Sequence, residues 1–502
     1  MNSFLAPLRS ITRQIKSHPI RTNRRAISTG TVIPLIINGQ DVQSQTTFET
    51  VSPLTGKASR TCSSASLKHV EIAIQAAHAA FPAWSKTKYS DRRDLLLQAA
   101  DIMTKRKIKL GEYMHEEIGA NEAYQDFIIG LAVDGLKDVA GRIAVCLGIA
   151  PWNAPYHLGL RSITFALATG NTTILKGSEL SPLCYWGIAD VFREAGLPNG
   201  CLNLIFHRTD DAASVTESLI AHPSVKKINF TGSSQVGSIV AATAGRHLKP
   251  CLMELGGKAN AIVLKDADLR KAAVQCAMGA FMNVSTNLQT PTLTVLSLTN
   301  ESCEKAGQIC MSTERILVDS TIASEFEGIF KETINDIFGT AETTPILVSA
   351  ASANRNANLI NDAVEKGANI FPIFQNDIQL ATETRMRPVV LTHVNQSMNI
   401  YGGESFGPSV SLYTFNTEAE AIELANDTNY GLSASIFTQN LHTAFRIAEG
   451  LESGAVHINS MTVHDEYQLP HGGVKQSGWG RFNEYQGLEE FLYSKTVTWM
   501  DS

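Results

Sequence analysis

The chain has 502 residues, 44% hydrophobic and 18% charged, a balance that supplies a sizeable core and excludes a disordered or fibrous protein. Its net charge of −6 gives no electrostatic ground for binding nucleic acid or an anionic membrane. No apolar run approaches the ~20 residues that span a bilayer, and the eight cysteines form no Cys-x-x-Cys pair, so neither a zinc site nor a disulfide framework is expected.

Residues 1 to 40 hold no Asp or Glu, while Arg9, Arg13, Lys16, Arg21, Arg24 and Arg25 stand among Ser, Thr, Ile and Leu. That composition is that of a mitochondrial transit peptide, so a leader is expected over 1–33 and the mitochondrial matrix as the compartment, the cytoplasm being the alternative. Folded sequence is expected from Pro34, with Leu35-Ile36-Ile37 as a strand and Asn38-Gly39 as a turn. From Leu67 to Gly119 apolar residues recur at helical spacing, which predicts two amphipathic helices. Apolar runs of strand length follow at Val145 to Ile149, Thr172 to Leu175, Leu202 to Ile205, Lys227 to Phe230 and Ala259 to Val263, each leading into a helical pattern. Strands alternating with helices predict a doubly wound α/β unit. A second α/β segment runs from about Lys265 to Ala455, with strands at Arg315 to Val318, Val389 to Leu391 and Ala434 to Thr438.

Several short patterns could carry chemistry. Thr231-Gly232-Ser233, with Gly237 beyond, lies between a predicted strand and a helix, where free backbone N–H groups can meet a phosphate. It is neither G-x-G-x-x-G nor a P-loop, and alone an ordinary turn is the better reading. Cys310, after Gly307-Gln308-Ile309, is a candidate thiolate nucleophile, and Glu254, before Leu255-Gly256-Gly257-Lys258, a candidate base. Asn153, between Pro151 and Pro155, is an amide donor suited to a developing oxyanion. Singly, each is more often a buried thiol, a solvated carboxylate or a turn amide. The thirteen histidines include His464 and His471, neither with metal-ligand company, so both read as structural.

Together these patterns resemble the aldehyde dehydrogenase superfamily over residues 34 to 500. Pro151-Trp152-Asn153, Lys176-Gly177-Ser178-Glu179, Phe230-Thr231-Gly232-Ser233, Glu254-Leu255-Gly256-Gly257-Lys258, Gly307-Gln308-Ile309-Cys310, Glu404-Ser405-Phe406-Gly407-Pro408 and Gly472-Gly473-Val474-Lys475-Gln476-Ser477-Gly478 stand in family order. The resemblance implies an α/β fold with a Rossmann-type cofactor domain at 34–256, an α/β catalytic domain at 257–470 and a small oligomerisation element at 471–502. It implies NAD(P)-dependent oxidation of an aldehyde, with Cys310 as nucleophile, Glu254 as hydrolytic base and Asn153 with the Cys310 N–H as oxyanion donors. Trp152, Lys176, Glu179, Thr231, Gly232, Ser233, Gly237, Glu404 and Phe406 would hold the dinucleotide. A carboxylate at Glu179 would repel a 2′-phosphate, so NAD is expected, with NADP left open. The stretches Ile149 to Pro155 and His457 to Glu466 resemble the salicylaldehyde, vanillin and benzaldehyde dehydrogenases, which implies an aromatic aldehyde. Tyr156 and Met461 are expected to line its tunnel, or else to be packing residues. A homo-oligomer is expected of the intact family form, with no metal, nucleic acid or membrane partner. The competing readings are an inactive pseudoenzyme or structural protein of the same fold and a CoA-acylating semialdehyde dehydrogenase, the latter disfavoured by the presence of Glu254.

Two departures from the family pattern stand out. Val284 to Lys305, 22 residues of which eight are Ser or Thr, interrupt the run from Asn283 to Ala306. Excising them brings Glu254 and Cys310 from 56 positions apart to 34, about the separation usual in the family. Their codons accommodate splice-donor, branch-point and acceptor sequences, so the segment reads as a translated intron, the rival being a surface loop just before a nucleophile that needs tight placement. At Ile143-Ala144 a stretch that supplies a subunit-pairing hairpin in relatives is missing, and poor assembly or misfolding of this chain is expected.

Overall fold

The computed structural model describes residues 31–138, 146–281, 306–340, 343–374 and 383–500. Most of the leader, the Ile143-Ala144 junction and the 284–305 segment therefore lie outside the described residues.

In chain order the first part comprises β1 (Leu35–Ile37), β2 (Gln40–Val42), β3 (Thr47–Val51), β4 (Ala58–Ser63), α1 (Leu67–Trp84), α2 (Tyr89–Lys105), α3 (Lys107–Ile118) and α4 (Glu122–Asp138). Then come β5 (Cys146–Ile149), α5 (Pro155–Ala168), β6 (Thr173–Lys176), α6 (Pro182–Glu194), β7 (Leu202–Ile205), α7 (Ala212–Ala221), β8 (Lys227–Thr231), α8 (Ser234–Arg246) and β9 (Cys251–Glu254). The second part comprises β10 (Ala259–Val263), α9 (Leu269–Phe281), β11 (Thr313–Asp319), α10 (Ala323–Phe338), α11 (Ala350–Glu365), β12 (Asn369–Ile370), β13 (Val389–Thr392), α12 (Asn399–Gly402) and β14 (Ser409–Phe415). It ends with α13 (Glu418–Asn426), β15 (Tyr430–Gly431), β16 (Ser433–Phe437), α14 (Leu441–Gly450), β17 (Ala455–Ile458), β18 (Val474–Lys475), β19 (Gly478–Trp479) and α15 (Glu484–Glu489).

Two large sheets organise these elements. One runs β19-β9-β8-β5-β6-β7-β1-β2, the other β12-β13-β14-β11-β10-β16-β17. Their central strands pair in parallel, and β5, β6 and β7 are buried at every position, which is why they read as continuous apolar runs rather than alternating ones. In the first sheet β6 lies on one side of β5 and β8 on the other, so the chain reverses its winding there. A crevice at the carboxyl ends of strands around such a switch point is where doubly wound folds bind ligands. The sequence places Pro151-Trp152-Asn153 after β5 and Thr231-Gly232-Ser233 after β8, both at that crevice.

The structure corrects the sequence reading in three places. Ala259–Val263 belongs to the centre of the second sheet, between β11 and β16, not to the first, and the unanticipated Cys251–Glu254 strand takes the place beside β8. The span Leu67 to Gly119 forms three helices rather than two, because the chain breaks between Lys105 and Lys107. A fourth helix, α4, packs on α2 and α5 and makes α5 fully buried. After β17 the chain returns to the first sheet, where β19 pairs antiparallel with β9, Gly478 opposite Glu254. Among the described residues no helix is long and apolar enough to cross a membrane, no metal-holding group of His, Cys, Asp or Glu occurs, and seven cysteines are free thiols.

Candidate active site

The chain crosses from the first sheet to the second at Leu255-Gly256-Gly257-Lys258, and the two glycines are there for steric reasons. A β-carbon on Gly256 would stand 2.5 Å from Glu404 Oε2, and one on Gly257 would stand 2.1 Å from the Cys310 carbonyl oxygen. Only hydrogen at these positions lets the crossing meet Glu404 on one side and the backbone of Cys310 on the other. Cys310 is half-buried just before β11, and Asn153 Nδ2 donates to the Gln308 carbonyl at 3.2 Å. Two phenols fix the Asn153 turn from behind: Tyr124 Oη donates to the Asn153 carbonyl and Tyr185 Oη to the Pro151 carbonyl, each at 2.7 Å. Cys310, Glu254 and Asn153 thus converge from three separate elements.

Glu254 is fully buried at the end of β9, against a network that sequence reasoning missed. Its Oε2 lies 3.3 Å from Arg161 Nη2, and Arg161 Nη1 lies 2.7 Å from Asp465 Oδ2. The same Asp465 oxygen meets His157 Nε2 at 2.8 Å, while Asn483 Nδ2 donates to Asp465 Oδ1 at 2.7 Å. His471 stands between the acids, Nε2 at 3.7 Å from Glu254 Oε1 and Nδ1 at 3.7 Å from Asp465 Oδ1. Burial alone would push Glu254 upward, but His471 and Arg161 outweigh it and hold the carboxyl below its usual range, hence ionised. Asp465 is also buried, and His471, Arg161 and His157 hold it well below the carboxylate range. The Cys310 thiol moves the other way: burial raises it well above the ordinary value and the Glu254 carboxylate adds to the rise, with Arg161 opposing. One available signal was the pair His157 and Arg161, four apart on α5 and therefore on one face. His471, read as structural from the sequence, belongs to this network.

Of the residues expected to hold a dinucleotide, Trp152, Lys176, Glu179, Thr231, Gly232 and Ser233 stand at or just past the carboxyl ends of β5, β6 and β8, and Glu404 and Phe406 face them from a loop of the second sheet. Lys176 Nζ lies 3.4 Å from Glu179 Oε2 just past β6; burial opposes ionisation of Glu179 but Lys176 outweighs it and keeps the carboxyl below its ordinary range. Thr231 ends β8, Gly232 follows, and Ser233 caps α8 by accepting the Val236 N–H at 3.4 Å. Gly237 lies on the inner face of α8, where a β-carbon would stand 2.4 Å from Leu255 Cδ2, so it also serves helix packing. The Glu404 carboxyl accepts the Gly257 N–H at 2.9 Å and is pushed up to about 8 by burial and by Glu314. The Phe406 ring meets Trp152 edge-on, centroids 6.0 Å apart. Cationic and anionic side chains at the strand ends, a capped helix N-terminus and an acid beside the crossing glycines fit a dinucleotide laid across the crevice.

The two expected tunnel residues separate. Met461 packs with Met278, Met311, Leu432 and Val463 in an apolar cluster against which Ile309 and Cys310 lie. Tyr156 is fully buried, and its hydroxyl donates to the Leu110 carbonyl at 2.9 Å. It packs toward α3 and α6, one position off the helix face that carries His157 and Arg161, so its placement in the tunnel is corrected.

Residues 40–144, 142–286 and 291–497 match the family described as the aldehyde dehydrogenase family, and the match divides at the two places where the sequence departs from the family pattern. The chain is 38% identical over 499 residues to a vanillin dehydrogenase of Pseudomonas fluorescens, covering 93% of this chain and 97% of that one. The structure resembles that of a salicylaldehyde dehydrogenase from Pseudomonas putida G7 complexed with salicylaldehyde, with TM-score 0.83, 34% identity, and coverage of 92% of this chain and 96% of that one. It also resembles a betaine aldehyde dehydrogenase from Staphylococcus aureus in complex with NAD+, with TM-score 0.82, 28% identity, and coverage of 92% and 94%.

Proposed function

The chain belongs to the aldehyde dehydrogenase family and oxidises an aldehyde with NAD(P), and we propose that its aldehyde is aromatic and that Cys310, Glu254 and Asn153 carry the reaction. The observation that carries this reading is the convergence of thiol, carboxylate and amide at the crossing between the sheets. Cys310 releases its proton to solvent and the thiolate attacks the aldehyde carbon, forming a thiohemiacetal. The Asn153 amide and the Cys310 backbone N–H stabilise the negative oxygen; an amide suits this because it donates without titrating. A nicotinamide held in the crevice would accept the hydride from that carbon, and collapse of the oxyanion to a carbonyl leaves the thioester. Glu254, ionised beside Arg161 and His471, then takes a proton from water as that water attacks the thioester carbon, and the acid leaves with restoration of the thiol. A CoA-acylating enzyme needs no such base.

Support for an aromatic substrate comes from the methionine-lined surface against Cys310, since thioethers pack well on ring faces, and from the substrates named for the similar proteins. NADH formation with benzaldehyde or salicylaldehyde, compared with a short aliphatic aldehyde, tests it; Cys310→Ala should abolish turnover with every one. Turnover surviving in Cys310→Ala would overturn the site, and a preference for the aliphatic aldehyde would overturn the substrate. We further propose that the ionised Glu179 selects NAD over NADP and that the intact family form, with the hairpin stretch at Ile143-Ala144 present and residues 284–305 removed, is a homo-oligomer. Exposed Tyr493, Val497 and Met500 near the C-terminus support the assembly, which size-exclusion chromatography checks. Residues 1–33 we take as a matrix-targeting leader, testable by fusion to a fluorescent reporter. Residues 284–305 we take as a translated intron; a major transcript that retains them would reject that.

A further inference from the structure

We propose that Glu314 is a positioning residue that presets Glu404 and Phe406 for the dinucleotide, an inference resting on the functional reading above. Glu314 lies on β11, four residues after Cys310, and is buried. Its carboxylate accepts the Ser405 N–H at 2.9 Å to each oxygen, the Phe406 N–H at 3.1 Å and the Lys258 ammonium at 2.7 Å. Lys258 is itself buried and closes the crossing that begins at Glu254. A single side chain therefore ties together the strand leaving the nucleophile, the segment leaving the base, and the loop that carries two of the residues expected to hold the dinucleotide.

The loop needs such a tie. Phe406 has φ +47, a left-handed conformation that side chains other than glycine rarely adopt, and strain of this kind persists only where the surroundings over-determine it. Around Phe406 the surroundings are polar on both sides of the backbone. Glu314 takes the two consecutive N–H groups, while Arg355 donates to the Glu404 carbonyl at 2.8 Å and to the Ser405 carbonyl at 3.3 Å. The result aims the Phe406 ring edge-on at Trp152, beside Asn153, and leaves the Glu404 carboxyl on the Gly257 N–H. A buried ammonium–carboxylate pair is poor evidence for added stability, since desolvation offsets much of the attraction. Its use here is geometric: a carboxylate has enough acceptor sites to serve an ammonium and two adjacent N–H groups, and no apolar substitute has any.

The test is Glu314→Gln in the full chain, with three measurements: NADH dissociation constant from nucleotide fluorescence, KM for NAD+ against kcat, and the rate of Cys310 alkylation by iodoacetamide. The expected result is a thiol that alkylates at the wild-type rate, with NADH affinity and KM for NAD+ each weakened by about tenfold, the equivalent of 1.4 kcal/mol. Wild-type NADH affinity with wild-type KM would overturn the proposal. Should the Gln variant not fold, Glu314→Asp keeps the charge for Lys258 but draws the acceptors back from Ser405 and Phe406. Weakened NADH binding in that variant supports the proposal, and unchanged binding overturns it. Failure of the functional reading shows separately, as turnover in Cys310→Ala, and does not touch the NADH measurement.

Discussion

A fully buried carboxylate, Glu254, and a half-buried one, Glu404, flank the crossing between the sheets, and their surroundings act on them in opposite senses. On the first-sheet side Glu254 is pressed between Arg161 and His471, with Asp465 behind them, and is held ionised. On the second-sheet side Glu404 has a second acid, Glu314, as neighbour and is pushed up to about 8. The positive charge that could have served Glu404 goes mainly to Glu314 through Lys258. One side spends its cations on the functional side chain itself; the other spends them on an acid that holds backbone. A base that must accept a proton needs a defined charge state, whereas a side chain that holds a cofactor needs a defined place.

The largest effect that separates the two sides is expected from Glu254→Gln. Removing the base should lower steady-state turnover by about 10²–10⁴-fold, as is usual for general bases. The same change removes a negative neighbour from Cys310, so its thiol pKa falls and alkylation by iodoacetamide at fixed neutral pH should quicken. A slower alkylation would mean that the two groups do not interact as placed. Next comes Asp465→Ala, which strands Arg161 and His157 in the interior and should destabilise the protein by about 3–5 kcal/mol in denaturant unfolding. The pH dependence has a fixed sign. Asp465 is held well below its ordinary 3.8, so the stability it confers is present above that value and is lost as pH falls through the depressed folded value. Asp465→Asn should therefore flatten the acid limb of the unfolding curve; an unchanged limb would place the acid sensitivity elsewhere. The smallest effect belongs outside both clusters. Glu179→Ala should narrow the preference for NAD over NADP by about tenfold or less, read as the ratio of kcat/KM values, since the pair it forms with Lys176 is partly exposed.

The parts of this arrangement that were legible in the sequence are those written in short windows. Glu254-Leu255-Gly256-Gly257-Lys258 announces itself because Glu, two glycines and Lys must be consecutive for the crossing to work, and the parallel strands announce themselves because burial on both faces forbids polar alternation. Arg161 and Asp465 were silent, being 304 positions apart, while Arg161 and Glu254 are 93 apart, and no local rule links them. Glu314 was hidden for the same reason: its chemistry lies in partners 56 and 91 positions away. Tyr156 misled by proximity to Asn153. Entry into α5 rotates it toward Leu110 and hands the inward face to its neighbour His157. The strand Ala259–Val263 was recognised, but which sheet it joins depends on β9, whose four residues Cys251-Leu252-Met253-Glu254 lack the β-branched signature that would have marked them.

The return of the chain to the first sheet after β17 also has a consequence for biosynthesis. Asp465, His471 and the strand pairing Gly478 with Glu254 all follow β17 and so leave the ribosome after the elements they join. Until that stretch emerges, the nascent polypeptide already carries the sulfur and Arg161 but lacks His471 and Asp465, so the charged network around Glu254 is incomplete. Catalytic competence is thus withheld until that stretch is made, since a product terminated before the return lacks His471, Asp465 and the strand beside Glu254.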